Sequence, residues 1–324
     1  DDVDLLFELI PIFLQPPTSD FLFVESFLKD TSARGLQNSQ KQQIMERFFV
    51  LMAGESTEEI KSLSLQLVIY PMLYASFETM VSKPSANFTT ITDKNENLSI
   101  SLKKTLIFFS ASDVQKFVTD VLFQNENINP CGERLKIAFL QMADLLLQFI
   151  PHDFGEKGKY LVKFCWSLLK SDDSSCKNWA YVVLCRYINV LGTSQNTILQ
   201  VYFDLLRFYQ QEGKDLIRIA LNLLVSALPK KLDKTGFKTA IDNTYQVMFE
   251  EGNSVPQLAH VWYIVVHHPD IFSHRRSELA RYMISSLNRL GLPPNSLAEN
   301  RILSLSIVDL VLKWEKDKGE KEKY

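Results

Sequence analysis

Asp153-Phe154-Gly155 spells the triplet with which protein kinases hold a metal ion, and it is the first place where this sequence could do chemistry. Kinase chemistry also needs a glycine-rich phosphate cover, a strand lysine and a catalytic-loop aspartate, yet the sequence holds no G-x-G-x-x-G, no V-A-I-K and no H-R-D. Following Pro151, Asp and Gly are ordinary turn residues, so the triplet reads as a corner between two helices. Gly155-Glu156-Lys157-Gly158-Lys159 has the flavour of a phosphate loop, but its glycines stand too close and no strand precedes it. His267, His268 and His274 gather in HHPDIFSHRR around Asp270. Their spacing fits no H-E-x-x-H helix and no cysteine accompanies them, which predicts an inter-helix corner with partly exposed imidazoles.

Nucleophiles fare no better. Cys131, Cys165, Cys176 and Cys185 form no C-x-x-C pair, and three of them fall inside apolar helical patterns. They read as reduced, buried thiols of an intracellular protein. A trio of Cys165 or Cys185 with a distant His and Asp can be drawn, but no strained elbow or Gly-flanked Ser or Cys marks a nucleophile. Lys230-Lys231 and Arg275-Arg276 are short basic pairs on predicted loops, too few to hold a phosphate backbone. The residues therefore nominate no catalytic, cofactor-binding or metal-ligating site, and no cofactor. Partner-binding residues remain unassigned.

The elements that carry these residues are helical throughout. ENRILSLSIVDLVLKWEK, Glu299 to Lys316, places Ser306, Asp309 and Lys313 on one narrow stripe at about 100° per residue, with apolar side chains around most of the rest. Ile307-Val308 and Leu310-Val311-Leu312 break the alternation a strand requires. Such a helix needs neighbours on two or three sides. Comparable stripes run through Gln200, Asp204, Arg207 and Gln211; through Asp215, Arg218, Asn222 and Ser226; and through Glu278, Arg281, Ser285 and Asn288. Capping-box spacings at Ser56/Glu59, Ser112/Gln115 and Ser296/Glu299 predict helix starts. Pro71, inside the apolar run Leu63 to Phe77, predicts a kink or a division.

From residue 133 helix starts recur every 18 to 23 residues, so that a pair occupies about 40. That period predicts an all-α fold: an α-solenoid of HEAT-like helical hairpins, superhelical and without significant sheet. A single bundle would have to wrap about fifteen helices around shared cores. The expected organisation is HEAT-like repeats over 1–81, an exposed loop over 82–99 where hydrophobicity drops, repeats over 100–316, and a charged helix end or linker over 317–324. A net charge of -3 with a pI near 6.0 gives no overall basic field for nucleic acid or an anionic membrane. No uncharged apolar run reaches the length of a membrane span. The opening DDVDLLFELI lacks an initiator Met and a signal segment, which reads as an excerpt from a longer polypeptide.

Several phrases carry a resemblance. ILQVYFDLLRFY, LLVSALPKKL, EEGNSVPQLAHVWYIVVHHPDIF, MISSLNRLG and ENRILSLSIVDLVLKWE, in that order over about 195 to 316, resemble the helical-repeat region of the TRRAP/Tra-type pseudokinases of the phosphatidylinositol-3-kinase-related family. VIYPMLYASFE, Val68 to Glu78, is similar to an earlier stretch of that region. The resemblance implies a slice of a HEAT solenoid in a nuclear scaffold of SAGA and of a MYST-type histone acetyltransferase complex. It implies protein partners: other subunits of those complexes, transcription activators and neighbouring repeats of the same chain. It carries over no catalytic residue, no small-molecule substrate, no direct nucleic acid and no membrane. An importin-like HEAT cargo adaptor and a helical enzyme stay open as other readings.

Overall fold

The computed structural model describes residues 2–15, 21–82, 108–123, 130–209, 211–250 and 254–321. Most of the segment 82–99, expected to be a loop, and the first part of a helix expected over 100–110 lie outside them. Among the described residues there is no strand, and no helix is long and apolar enough to cross a membrane. The chain forms two compact units, Asp1–Leu191 and Gly192–Tyr324.

In the first unit the helices are α1 (Asp2–Leu9), α2 (Leu22–Asp30), α3 (Asn38–Ala53), α4 (Glu58–Ser64), α5 (Tyr70–Ser82), α6 (Ala111–Lys116), α7 (Glu133–Phe149), α8 (Gly158–Leu169) and α9 (Ser174–Val190). A widened turn over Leu65–Ile69 joins α4 to α5 immediately ahead of Pro71 with helical backbone at both junctions, so where a kink or a division was expected the helical run widens without dividing. The missing amide of proline leaves one carbonyl of the preceding turn without its partner, and the widened turn absorbs the misfit. Packing is serial: α8 and α7 both lie on α9, and α4 lies on α7. Phe77 of α5 stacks on Phe149 of α7 with ring centroids 4.8 Å apart. At the start of α7 the Glu58 carboxylate accepts the Gly132 amide at 2.6 Å, setting an anion at the positive end of that helix.

The second unit holds α10 (Gln195–Arg207), α11 (Lys214–Lys231), α12 (Lys234–Glu250), α13 (Val255–His267), the short α14 (Pro269–Phe272), α15 (Arg276–Leu290) and α16 (Ala298–Lys321). Here α10 packs on α11 and α12, α11 and α12 on α13, and α13 on α15 and α16. Contacts thus fall mainly between helices one, two or three places apart, the pattern of stacked hairpins.

Two cap predictions shift. The hydroxyl that caps α4 belongs to Thr57, not Ser56, and accepts the Ile60 amide. The box before α6 is Ser110 with Asp113, not Ser112 with Gln115. The Ser296/Glu299 spacing has another meaning, because the Glu299 carboxylate takes Lys214 and Arg218 of α11, each at 2.5 Å. The predicted encirclement of α16 is also only half met. Leu303, Ile307, Leu310 and Trp314 are buried against its neighbours, but Ile302, Leu305 and Leu312 are 64%, 68% and 56% exposed. An apolar circumference states what a helix would gain from burial, and does not by itself supply the covering element.

Candidate functional site

Each cluster with chemical potential is placed by a different pair of elements. Pro151–Lys157 forms a tight turn between α7 and α8 that buries Asp153 and Phe154, so DFG is the predicted corner. Gly155 has φ +46° with nothing within 4 Å of a hypothetical Cβ, so the backbone conformation, rather than space, calls for glycine. Gly158 opens α8 against the Tyr187 ring, 3.0 Å from where a Cβ would stand. No strand leads into it.

The three histidines are dispersed at the corner after α13. His267 stacks on Tyr263 at 3.9 Å and its Nδ1 lies 2.8 Å from the Tyr263 carbonyl. His268 Nε2 meets Asn222 Oδ1 at 3.0 Å, while His274 stands exposed beside Ser273. Among the described residues no group of three or more His, Cys, Asp and Glu side chains is placed to hold a metal ion.

All four thiols are free and buried. Burial pushes Cys131 up to about 11, holds Cys165 and Cys176 higher still, and raises Cys185 well above the ordinary thiol value. Each is kept as the poorly nucleophilic thiol. Native protein is therefore expected to resist a thiol-selective disulfide reagent at about pH 8 and to react only on unfolding. Stoichiometric labelling of the folded chain would contradict this burial.

The polar residues of the second unit divide between solvent and the seams between helices. Gln200, Asp204 and Arg207 line the solvent side of α10 as predicted, and so do Glu278, Arg281, Ser285 and Asn288 on α15. The α11 stripe departs from that pattern. Arg218 lies over the Tyr263 ring at 4.3 Å and pairs with Glu299, and Asn222 donates to the Tyr263 hydroxyl at 3.2 Å. Two of its four members thus form a seam joining α11, α13 and α16. A wheel shows that a stripe is polar; only the fold shows whether it meets water or other polar groups.

A second seam explains the phrase SVPQLAH. Ser254 caps α13 by accepting the Gln257 amide, and Pro256 sits in the first turn, where no helical donor is lost. The Gln257 side-chain amide then donates to the Leu206 carbonyl, and His260 Nε2 lies 3.0 Å from the Leu205 carbonyl. Both carbonyls belong to the last turn of α10, where intrahelical partners run out. The phrase is therefore a clamp between helices.

Burial holds the His260 imidazole below its ordinary 6.5, against the pull of the Leu205 carbonyl and with the help of Arg218. His268 shifts the same way, through burial and then the nearby His267. The folded chain keeps these rings neutral, so the unfolded chain takes up protons first as pH falls. Their contribution is complete above about pH 6.5 and is lost as pH drops towards the lower folded values. The urea midpoint of the second unit should fall on acidification through this window. His260→Gln should flatten part of that dependence, and a midpoint that rises on acidification would refute the neutral clamp.

Sequence reading missed one concavity. Phe237 and Ile241 of α12, Pro229 of α11 and Ile271 of α14 line an open groove of about 420 Å³, with Lys238, Asp242, Asp270, His274 and Arg275 around them. The usable signal was KKLDKTGFK, where Lys234 and Lys238 stand one helical turn apart beside Phe237.

Comparison with known proteins gives a consistent result. The model of the Tra1 HEAT repeat ring region matches residues 1–324. The chain is 28% identical over 319 residues to the probable transcription-associated protein 1 of Dictyostelium discoideum, covering 98% of this chain and 6% of that protein. It is 26% identical to the human transformation/transcription domain-associated protein, covering 97% of this chain and 8% of the relative. To the Saccharomyces cerevisiae SAGA complex/NuA4 acetyltransferase complex subunit TRA1 it is 27% identical over 181 residues, 56% of this chain and 5% of the relative. The chain thus spans less than a tenth of these relatives' length. With a match along all 324 residues, serial helical pairs and no strand among those described, the chain belongs to the Tra1 HEAT repeat ring family.

Proposed function

We propose that this chain is a non-catalytic, nuclear scaffold segment of a transcription co-activator subunit in histone acetyltransferase complexes, where it serves assembly and activator recruitment. The observation that carries the reading is the family match from the first residue to the last, together with the printed role of the yeast relative as a SAGA and NuA4 subunit. The chemistry of the side chains supports it: the thiols are buried, the histidines have separate neighbours, and the interior arginines are tied to carboxylates of other helices. A stacked helical array offers a long surface on which many weak contacts with other proteins add together.

Affinity purification from nuclei of the protein that carries this chain tests the reading. Histone acetyltransferase activity is expected to co-purify with it. Recovery with the nuclear-transport GTPase and without acetyltransferase activity would overturn the reading in favour of a cargo adaptor.

A further inference from the structure

Lys159, Lys163, Trp166 and Lys170 follow one another at steps of four, three and four, so they share one face of α8 and of the residue that closes it. The three lysines are exposed, Trp166 is half-buried, and the row runs about 16 Å along the helix axis. Leu161, Phe164, Cys165 and Leu168 take the opposite side and are buried. From Lys157 to Lys170 the chain holds four lysines and neither Asp nor Glu.

At one end of the row the charge converges. The ammonium groups of Lys157, Lys159 and Lys163 lie 5.5, 5.6 and 5.6 Å from the centroid of the Tyr160 ring, so no two of them stand farther apart than twice that distance. The ring is fixed from behind by the buried Phe123, 5.3 Å away. Its face attracts the cations but brings no negative charge to neutralise them. None of the four lysines makes an ion pair among the described residues. Glu156 and Asp172 bound the stretch in the chain, and Asp120 lies on the turn Phe117–Leu122 that packs on α8, where it accepts the Thr119 hydroxyl at 2.7 Å. These three dilute the positive charge at its margins and leave its middle uncompensated. The excess is local, since the chain as a whole carries -3.

We propose that this face of α8 binds the sugar-phosphate backbone of duplex DNA through Lys157, Lys159, Lys163 and Lys170, without reading its sequence. A duplex carries one negative charge per about 1.7 Å of its axis, so a row of about 16 Å faces several phosphates at once. A lone phosphorylated side chain would engage only the Tyr160 end. A bilayer fits less well, because α8 exposes no large apolar side chain to enter it. The contacts are made by side chains along the helix and not by amides at its start, where Gly158 is buried against the Tyr187 ring. The proposal goes beyond the scaffold reading and does not depend on it.

Fluorescence anisotropy of the whole chain with a labelled duplex of about 20 base pairs tests this. Four phosphate contacts predict a slope of about -3.6 in log K against log salt, which is a loss of about a hundredfold in affinity from 50 to 200 mM. Two duplexes of unrelated sequence should bind alike. Lys159→Gln with Lys163→Gln removes two contacts, so the slope should fall to about -1.8 and low-salt binding should weaken by about tenfold, whereas arginine at the same two positions should keep both. Lys234→Gln with Lys238→Gln, at exposed positions of the second unit, should change neither, and Glu156→Gln should tighten binding by about twofold. No saturation up to about 100 μM at 50 mM salt, or an equal loss from both pairs of glutamine changes, would overturn the proposal. So would tighter binding to single-stranded RNA of the same length or to phosphatidylserine vesicles than to the duplex. Acetyltransferase co-purification is read in a separate experiment, so either proposal can fail while the other stands.

Discussion

Replacing Trp262 with alanine is expected to destabilise the second unit by about 3–5 kcal/mol. The side chain is 0% exposed and sits on α13, the helix that touches every other helix of the unit. Truncation removes the largest fully buried side chain and leaves a cavity that several helices cannot collapse into at once. A polar loss adds to it. The indole N–H donates to Ser286 Oγ at 2.8 Å, and that buried hydroxyl donates onward to the Tyr282 carbonyl at 2.7 Å. Trp262→Phe keeps much of the volume and severs only the first of these bonds, so it should cost less than the alanine change, with about 1 kcal/mol from the bond itself. Urea denaturation followed by circular dichroism measures both. An unshifted midpoint for the alanine variant would mean that the indole is not a core element.

The second large effect lies in the first unit. Arg186 of α9 grips Asp144 of α7 with two hydrogen bonds, one of them Nη2 to Oδ2 at 3.0 Å, and both side chains are largely buried. Burial pushes the Asp144 carboxyl up, and the Arg186 fork only partly opposes it. The pair is thus a matched burden rather than a source of net stability. Asp144→Ala alone strands a guanidinium and is expected to cost about 3–5 kcal/mol, and Arg186→Ala alone strands the carboxylate at a similar cost. The double change Asp144→Leu with Arg186→Met should recover most of that loss, and its midpoint should lie close to wild type. Additive losses in the double variant would show that the pair contributes net attraction and would overturn this reading. The pH sign follows from the raised carboxyl: its folded state binds a proton more readily, so its contribution to stability falls as pH rises from the unfolded pKa through the folded one.

Much of this was legible from periodicity. Helix starts near 133, 195, 214, 255 and 276 follow directly from three- and four-residue apolar spacing, and the irregular turn before Pro71 follows from the lost amide. The errors share a cause, which is that local patterns cannot rank local against distant partners. Ser56 and Thr57 are adjacent hydroxyls, and the spacing to Glu59 named the wrong one. Glu299 sits at a capping distance from Ser296 yet closes an ion pair with Lys214, which is 85 residues away in sequence. Arg218 and Asn222 look like a solvent stripe and instead bind Tyr263 and Glu299. The groove was hidden for the same reason, since Pro229, Ile241 and Ile271 come from three helices and no single periodicity joins them.

The central claim is that stability and surface arise from helical pairs stacked in series, each supported by its neighbours. Amide hydrogen exchange read by mass spectrometry tests it most directly in a chain carrying Leu310→Ala, a change at a buried position of α16. Serial stacking predicts a graded loss of protection, largest in α15 and α16, smaller in α13 and least in α10 and α12. An equal loss of protection in all helices of the second unit would mean one shared core, and would contradict the account.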